Sequence, residues 1–307
     1  MLRPGMAIVE PRISTGAGLV QRLDLVQNPV QPSVSGVGPW PMRTQVVLRY
    51  ADRPEIRIPV TLTGRVTEVV AARGKPVPLF VYPNAGDYGY FLSLLDSAST
   101  RALEAGAFST VSDGFLRAML WGALWDQVRE ARMDPIRFAR LVMTELPRER
   151  DEQVLPSLLG RLERSVRAYL SPTAQAGIRP EIERLLWTLA GDAAKPYGIR
   201  RPHLDAFIGL AATPDGIAKL HALLAADSAA GEPVRDPTRW EVVNRLLALG
   251  DPGAELALTR QTARDTTPDG RRRAFVAGAA RPGATTKAEY FRRYFADAAL
   301  NEDWASG

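Results

Sequence analysis

Two hydrophobic periods divide the chain. Ile56, Ile58, Val60 and Leu62 alternate with Arg57, Pro59 and Thr61, a period of two that sets one apolar face on a core and one polar face in water. Pro59 lacks the N–H that a ladder needs, so this strand is expected at an edge or a bulge. Val46, Leu48 and Tyr50 alternate just upstream, across an Ala51-Asp52-Arg53-Pro54 turn. Tyr88, Tyr90, Leu92 and Leu94 alternate after the turn Pro83-Asn84-Ala85-Gly86. Short strands split by Gly and Pro predict an antiparallel β-sandwich over residues 1–96.

From about residue 97 the period becomes three and four. Phe115, Leu116, Met119, Leu120, Ala123, Leu124 and Val128 fall on one helical face, with Ser112 or Asp113 placed to cap its start. Further helices are expected over Pro135–Glu145, Glu149–Leu170, Pro180–Ala190, His203–Leu210, Asp215–Ala226, Arg239–Leu249, Gly253–Thr262 and Lys287–Phe295. Pro- and Gly-bearing breaks separate them. The expected fold is mainly α with an N-terminal all-β domain: a sandwich, then an α-helical superhelix of stacked antiparallel pairs over residues 97–307. No clean sequence period is visible, so the array reads as irregular.

Candidate chemistry is sparse. The chain has 307 residues, no Cys and two His, which excludes disulfides, thiolate metal sites and cysteine nucleophiles. His203 and His221 are not at the i, i+4 spacing of a helical zinc site, and Glu follows neither. Each reads as a capping or half-buried histidine. No nucleophile elbow or phosphate-binding glycine loop is present. Charge is mildly basic, +5 from 39 basic and 34 acidic residues, without the one-sided clustering of a nucleic-acid binder. No apolar run is long enough to span a membrane, and no secretion signal is evident. The compartment, cytoplasmic or periplasmic, is left open. Met1-Leu2-Arg3-Pro4-Gly5 reads as a chain cut from something longer.

Arg271, Arg272 and Arg273 form the densest basic run. A solvated loop is the simpler expectation. As a site, their guanidinium forks would pair with a carboxylate or phosphate, which makes them the candidate substrate-binding residues. Tyr290, Phe291, Tyr294 and Phe295 have the spacing of a core-facing helix stripe.

Pro83-Asn84, Asp87, Gly89-Tyr90, Leu94, Leu95 and Asp96 resemble the end of the β-sandwich in zinc aminopeptidases of the aminopeptidase N family. Asp113, Arg117, Leu120, Trp121, Leu124, Trp125, Asp126 and Arg129 are similar to that family's first helical pair. Leu141 to Glu145 with Asp151, Asp236 with Arg239-Trp240 and Leu246 to Gly250, and Asp265, Gly270, Ala280-Arg281-Pro282 and Lys287 resemble its later segments. Gly5 to Val9 and Leu25 to Pro29 look like strands that open the same sandwich. Phe91-Leu92 depart from the Tyr-Arg that often follows Gly-Tyr, which suits a divergent bacterial member. Asn301-Glu302-Asp303-Trp304 look like a helix start that the family continues.

The resemblance implies a non-catalytic C-terminal fragment. In the parent enzyme it would cap the active site and help to bind peptide. The zinc and exopeptidase motifs would lie upstream of the sandwich. Zinc is then expected in the parent and no cofactor in this chain. The partner is the catalytic domain of the same parent, with peptides possible and neither nucleic acid nor membrane. No activity is expected of the chain alone. The competing expectation is a stand-alone α-solenoid scaffold that binds a peptide or protein.

Overall fold

Alternating residues build seven strands at the start of the chain: β1 (Ala7–Gly16), β2 (Leu19–Pro29), β3 (Met42–Arg49), β4 (Ile56–Leu62), β5 (Val66–Glu68), β6 (Phe80–Tyr82) and β7 (Phe91–Ser93). The computed structural model describes residues 5–30, 38–226, 228–229, 232–296 and 300. The readings at Met1–Pro4 and Asn301–Trp304 fall outside these described residues. One sheet has the order β5-β2-β1-β7 and the other β4-β3-β6. Val9, Leu23 and Leu25 of the first meet Val46, Leu48, Leu62 and Val81 of the second in one apolar core, the packing that makes a sandwich. Pro59 sits opposite Gln45 on β4, an edge strand, where its missing N–H breaks no ladder.

Two sandwich details differ from the sequence reading. The first sheet is not wholly antiparallel: β7 runs parallel to β1, pairing Phe91 with Ala7. The chain leaves β6 in one sheet and returns through residues 83–90 to the edge of the other, in the same direction as β1. The alternation through residues 88–94 is also out of register. Tyr88 and Tyr90 are 70% and 83% exposed, whereas Phe91 and Ser93 face inward.

Helices follow, starting where Asp96 accepts hydrogen bonds from the N–H of Ala98 and Ser99. In the first compact unit, Met1–Tyr169, they are α1 (Ser97–Glu104), α2 (Gly114–Arg129), α3 (Pro135–Glu145) and α4 (Val154–Arg164). Helix α1 packs on β6, and Ser99 Oγ accepts the N–H of Val81 at 2.9 Å. That second layer explains why Phe80, Val81 and Tyr82 are all buried. The second unit, Leu170–Gly307, holds α5 (Pro172–Gly191), α6 (Tyr197–Leu210), α7 (Pro214–Ala225), a short hairpin of β8 (Ser228–Ala229) with β9 (Glu232–Pro233), then α8 (Asp236–Leu249), α9 (Ala254–Arg264), α10 (Pro268–Ala280) and α11 (Ala284–Ala296).

The expected helix over 149–170 is instead α4 followed by a π-turn at Ser165–Tyr169. Helices α5 and α6 begin before their expected starts and carry Pro180 and Pro202 inside them. The aromatic stripe of α11 does not face a core. None of its described residues is buried, and Phe291 and Phe295 are 67% and 71% exposed. Only Tyr290 turns inward, its ring 5.0 Å from that of Phe275.

Candidate functional site

The residues that carry the family resemblance brace the fold. Asn84, 1% exposed, clamps the loop before β7. Its Oδ1 accepts the N–H of Gly89 at 2.9 Å, and its Nδ2 donates to the Gly89 carbonyl at 2.8 Å. Tyr88 and Tyr90 are thereby thrown outward. Arg117 grips Glu149 through two parallel hydrogen bonds of 3.1 and 2.9 Å and caps the carbonyls of Val111 and Ser112. Trp121 stacks on Phe108 at 4.2 Å, and Trp125 meets Phe138 and Tyr169, each at 5.4 Å.

Arginines in the second unit close helix ends. Arg239, 4% exposed, donates to the carbonyls of Leu224, Ala226 and Val234, orphan acceptors at and beyond the end of α7. Arg179 and Arg245 do the same for Leu210 and Ala211 after α6. Trp240 Nε1 donates to Asp265 at 2.8 Å. These bonds bind α8 to its neighbours in space.

One cap recurs. Thr-Pro-Asp-Gly stands at 213–216 and again at 267–270. In both copies the Thr hydroxyl accepts the Gly N–H at 3.0 Å and donates to a carboxylate from elsewhere, Glu183 in the first and Asp265 in the second. In both the Gly lies against that carboxylate, where a Cβ would collide with it. The Asp pairs four residues on, with Lys219 in one copy and Arg273 in the other. The sequence reading missed this repeat. Pro at N1 after Thr was its available signal.

The described residues do not fit a zinc site. Among them no three His, Asp or Glu side chains gather as metal ligands. His221 Nε2 bonds Asp251 at 2.9 Å. His203 is fully buried in α6, with Nδ1 2.7 Å from the Ile199 carbonyl and Nε2 without a partner. Burial holds His203 below its ordinary pKa of 6.5 and so keeps it neutral. The unfolded chain therefore takes up a proton near pH 6.5 that the folded chain refuses. Stability is unaffected above that pH and falls as pH drops below it, by up to about 1.4 kcal/mol per unit. A His203→Gln variant should show a flatter profile of thermal unfolding between pH 5 and 7 in parallel scans. Equal slopes would contradict the assignment.

The structure places Arg271, Arg272 and Arg273 on α10, not on a loop. Arg272 and Arg273 hold Asp269 at 3.0 and 2.8 Å on the first turn of the same helix, and their hydrogen bonds lower the Asp269 pKa. Arg271, exposed, donates to the Thr266 carbonyl at 2.9 Å. Two of the three forks are thus committed within their own helix.

A different arginine has no such commitment. Arg161 is half-buried on α4, and its guanidinium makes no hydrogen bond or ion pair with any described residue. Burial lowers its pKa, opposed by the field of Asp126. Gly122 on α2 leaves room beside it, since a Cβ there would lie 3.8 Å from Arg161 Nη2. Asp126 is paired with Arg129 at 3.3 Å instead. A half-buried cation without a partner calls for an anion, and a guanidinium fits a carboxylate through two bonds.

The comparisons with known proteins now bear on these features. The profile of the ERAP1-like C-terminal domain matches residues 80–306. The chain belongs to that family. It is also 30% identical to Aminopeptidase N of Streptomyces lividans over 302 residues, 93% of this chain and 34% of that protein. The chain spans about a third of the length of this curated relative. Membership of the ERAP1-like C-terminal domain family thus agrees with the resemblance read at Asn84, at Trp121 to Arg129 and at Arg239-Trp240. The match begins at Phe80, so it takes in β6, β7 and all eleven helices described here.

Proposed function

We propose that this chain is the C-terminal, non-catalytic part of an aminopeptidase, and that it helps to bind the peptide on which a separate zinc-bearing domain acts. What supports the family half of this reading is the match over residues 80–306 and the aminopeptidase relative. What supports the binding half is Arg161, a half-buried guanidinium with no partner among the described residues. The free C-terminal carboxylate of a peptide is the natural counter-charge. Arg271, the exposed member of the basic run, is the second choice, because Arg272 and Arg273 are held by Asp269. Zinc, its ligands and the scissile bond belong in this reading to the catalytic domain.

Exchange of Arg161 for Ala in the full-length protein tests it. A charge-assisted bond is worth about 1.5–3 kcal/mol, so KM for a peptide should rise about tenfold or more. A one-residue aminoacyl amide, too short to reach both sites, should be spared. Equal effects on the two substrates would sink the assignment.

A further inference from the structure

The loop before β7 holds two large aromatic side chains in water. Tyr88 is 70% exposed and Tyr90 83% exposed, and the loop is built to keep them there. Asn84 fixes Gly89 through both of its amide groups and donates to the Asp87 carboxylate at 3.3 Å. Asp87 sits at a φ of 54°, in the left-handed region that a non-glycine residue enters at a cost. Gly86 leaves room for the Tyr88 ring, where a Cβ would lie 2.7 Å from it. Strain of this kind is kept where a surface has work to do. Tyrosine is a favoured anchor at interfaces, and a side chain already held in place loses little entropy on docking.

The position of the loop says what docks there. Strand β7 runs parallel to β1, and Phe91 pairs with Ala7. Tyr90 comes one residue before that pair and so stands beside Met6, about 5 Å away, the spacing of neighbouring strands. This is the end of the sheet at which the chain enters it. A domain that precedes this unit in a longer polypeptide emerges within reach of both tyrosines. Asp87 is exposed between them, and its negative charge disfavours nucleic-acid phosphate and anionic lipid. A protein surface is the occupant that remains. We propose that Tyr88 and Tyr90 are the anchors by which the first unit docks the catalytic domain upstream of it in the parent protein. The inference rests on the reading of this chain as the C-terminal part of a longer enzyme, and it names the surface that joins the two parts.

The chain contains no Cys, so a thiol placed at either position is the only one in it. Tyr88→Cys and Tyr90→Cys are made in the isolated chain and in the full-length protein. Maleimide labelling at each position is timed by mass spectrometry of the peptide that carries it. In the isolated chain both should label at the rate of a free cysteine. In the full-length protein labelling should be about tenfold slower or more, because the reagent must reach a transiently opened interface. Tyr90→Ala should lower the Tm of the full-length protein and leave that of the isolated chain unchanged. Equal labelling rates in the two proteins would overturn the proposal. So would slow labelling of the isolated chain, which a second copy on this face would produce, or an equal loss of Tm in both proteins. The underlying reading is tested apart from this, by hydrolysis of a one-residue aminoacyl amide by the wild-type full-length protein. No hydrolysis, with both positions still protected, would sink that reading while upholding the docking contact.

Discussion

Arg239→Ala should destabilise the second unit by about 3–5 kcal/mol, the cost of leaving buried carbonyls without donors. The guanidinium serves the carbonyls of Leu224, Ala226 and Val234 at once. Leu224 is in the last turn of α7 and Ala226 and Val234 lie between α7 and α8, where no helix N–H is available to replace the guanidinium. Val234 is itself 6% exposed, so water offers little compensation. Lys at this position keeps the charge but cannot spread three donors in a plane, and should recover only part of the loss. Thermal unfolding followed by circular dichroism measures both variants. A shift in Tm of a degree or less for Arg239→Ala would show that the three bonds contribute nothing net.

Gly216→Ala should be nearly as damaging, at about 2–4 kcal/mol, as overpacking against a buried charge. A methyl at 216 would enter the Glu183 carboxylate, which is buried and already holds the N–H groups of Ala212 and Thr213. Glu183 would have to leave its three donors or force α5 and α7 apart. Gly270→Ala meets the equivalent Asp265, and additionally its main-chain carbonyl, so it should cost at least as much. By contrast Gly160→Ala, in a helix interior with open space around it, should be neutral or stabilising. Denaturant midpoints for the three variants give the ranking. Equal midpoints at 216 and 160 would show that the recurring cap is not tight.

Some of this was legible in the sequence and some was not, for physical reasons that differ by element. The period of two at Ile56 to Leu62 and the change of period at Ser97 describe local patterns, and the structure follows them. Helices α5 and α6 are longer than the sequence reading makes them, because that reading starts one helix at Pro180 and ends a break at Pro202, whereas both prolines lie inside helices. Inside a helix a proline removes one bond and crowds the preceding turn, which packing of α5 against α6 offsets here. Helix α10 was passed over because its first turns are Pro268, Asp269, Gly270 and three arginines. Its cap at Thr267 was the better guide. The aromatic stripe of α11 shows the limit of periodicity: it marks a helical face without saying what covers it.

The candidate site was the least legible part. Three adjacent arginines stand out in a sequence, but adjacency around a helix spreads them, and Asp269 neutralises two. What singles out Arg161 is a lack: Asp126 is turned to Arg129, and Gly122 supplies no side chain. Among 39 basic residues, most tied to caps or pairs and several others exposed, nothing local marks a half-buried one that has no such tie among the described residues.

The most direct measurement of the account is peptide binding to the purified chain, with one peptide offered as its free acid and as its C-terminal amide. Tighter binding of the free acid, with the difference erased by Arg161→Ala, is the predicted result. Equal affinity for the two forms, or a difference that survives Arg161→Ala, would contradict the claim that this unit reads the carboxylate end of a peptide.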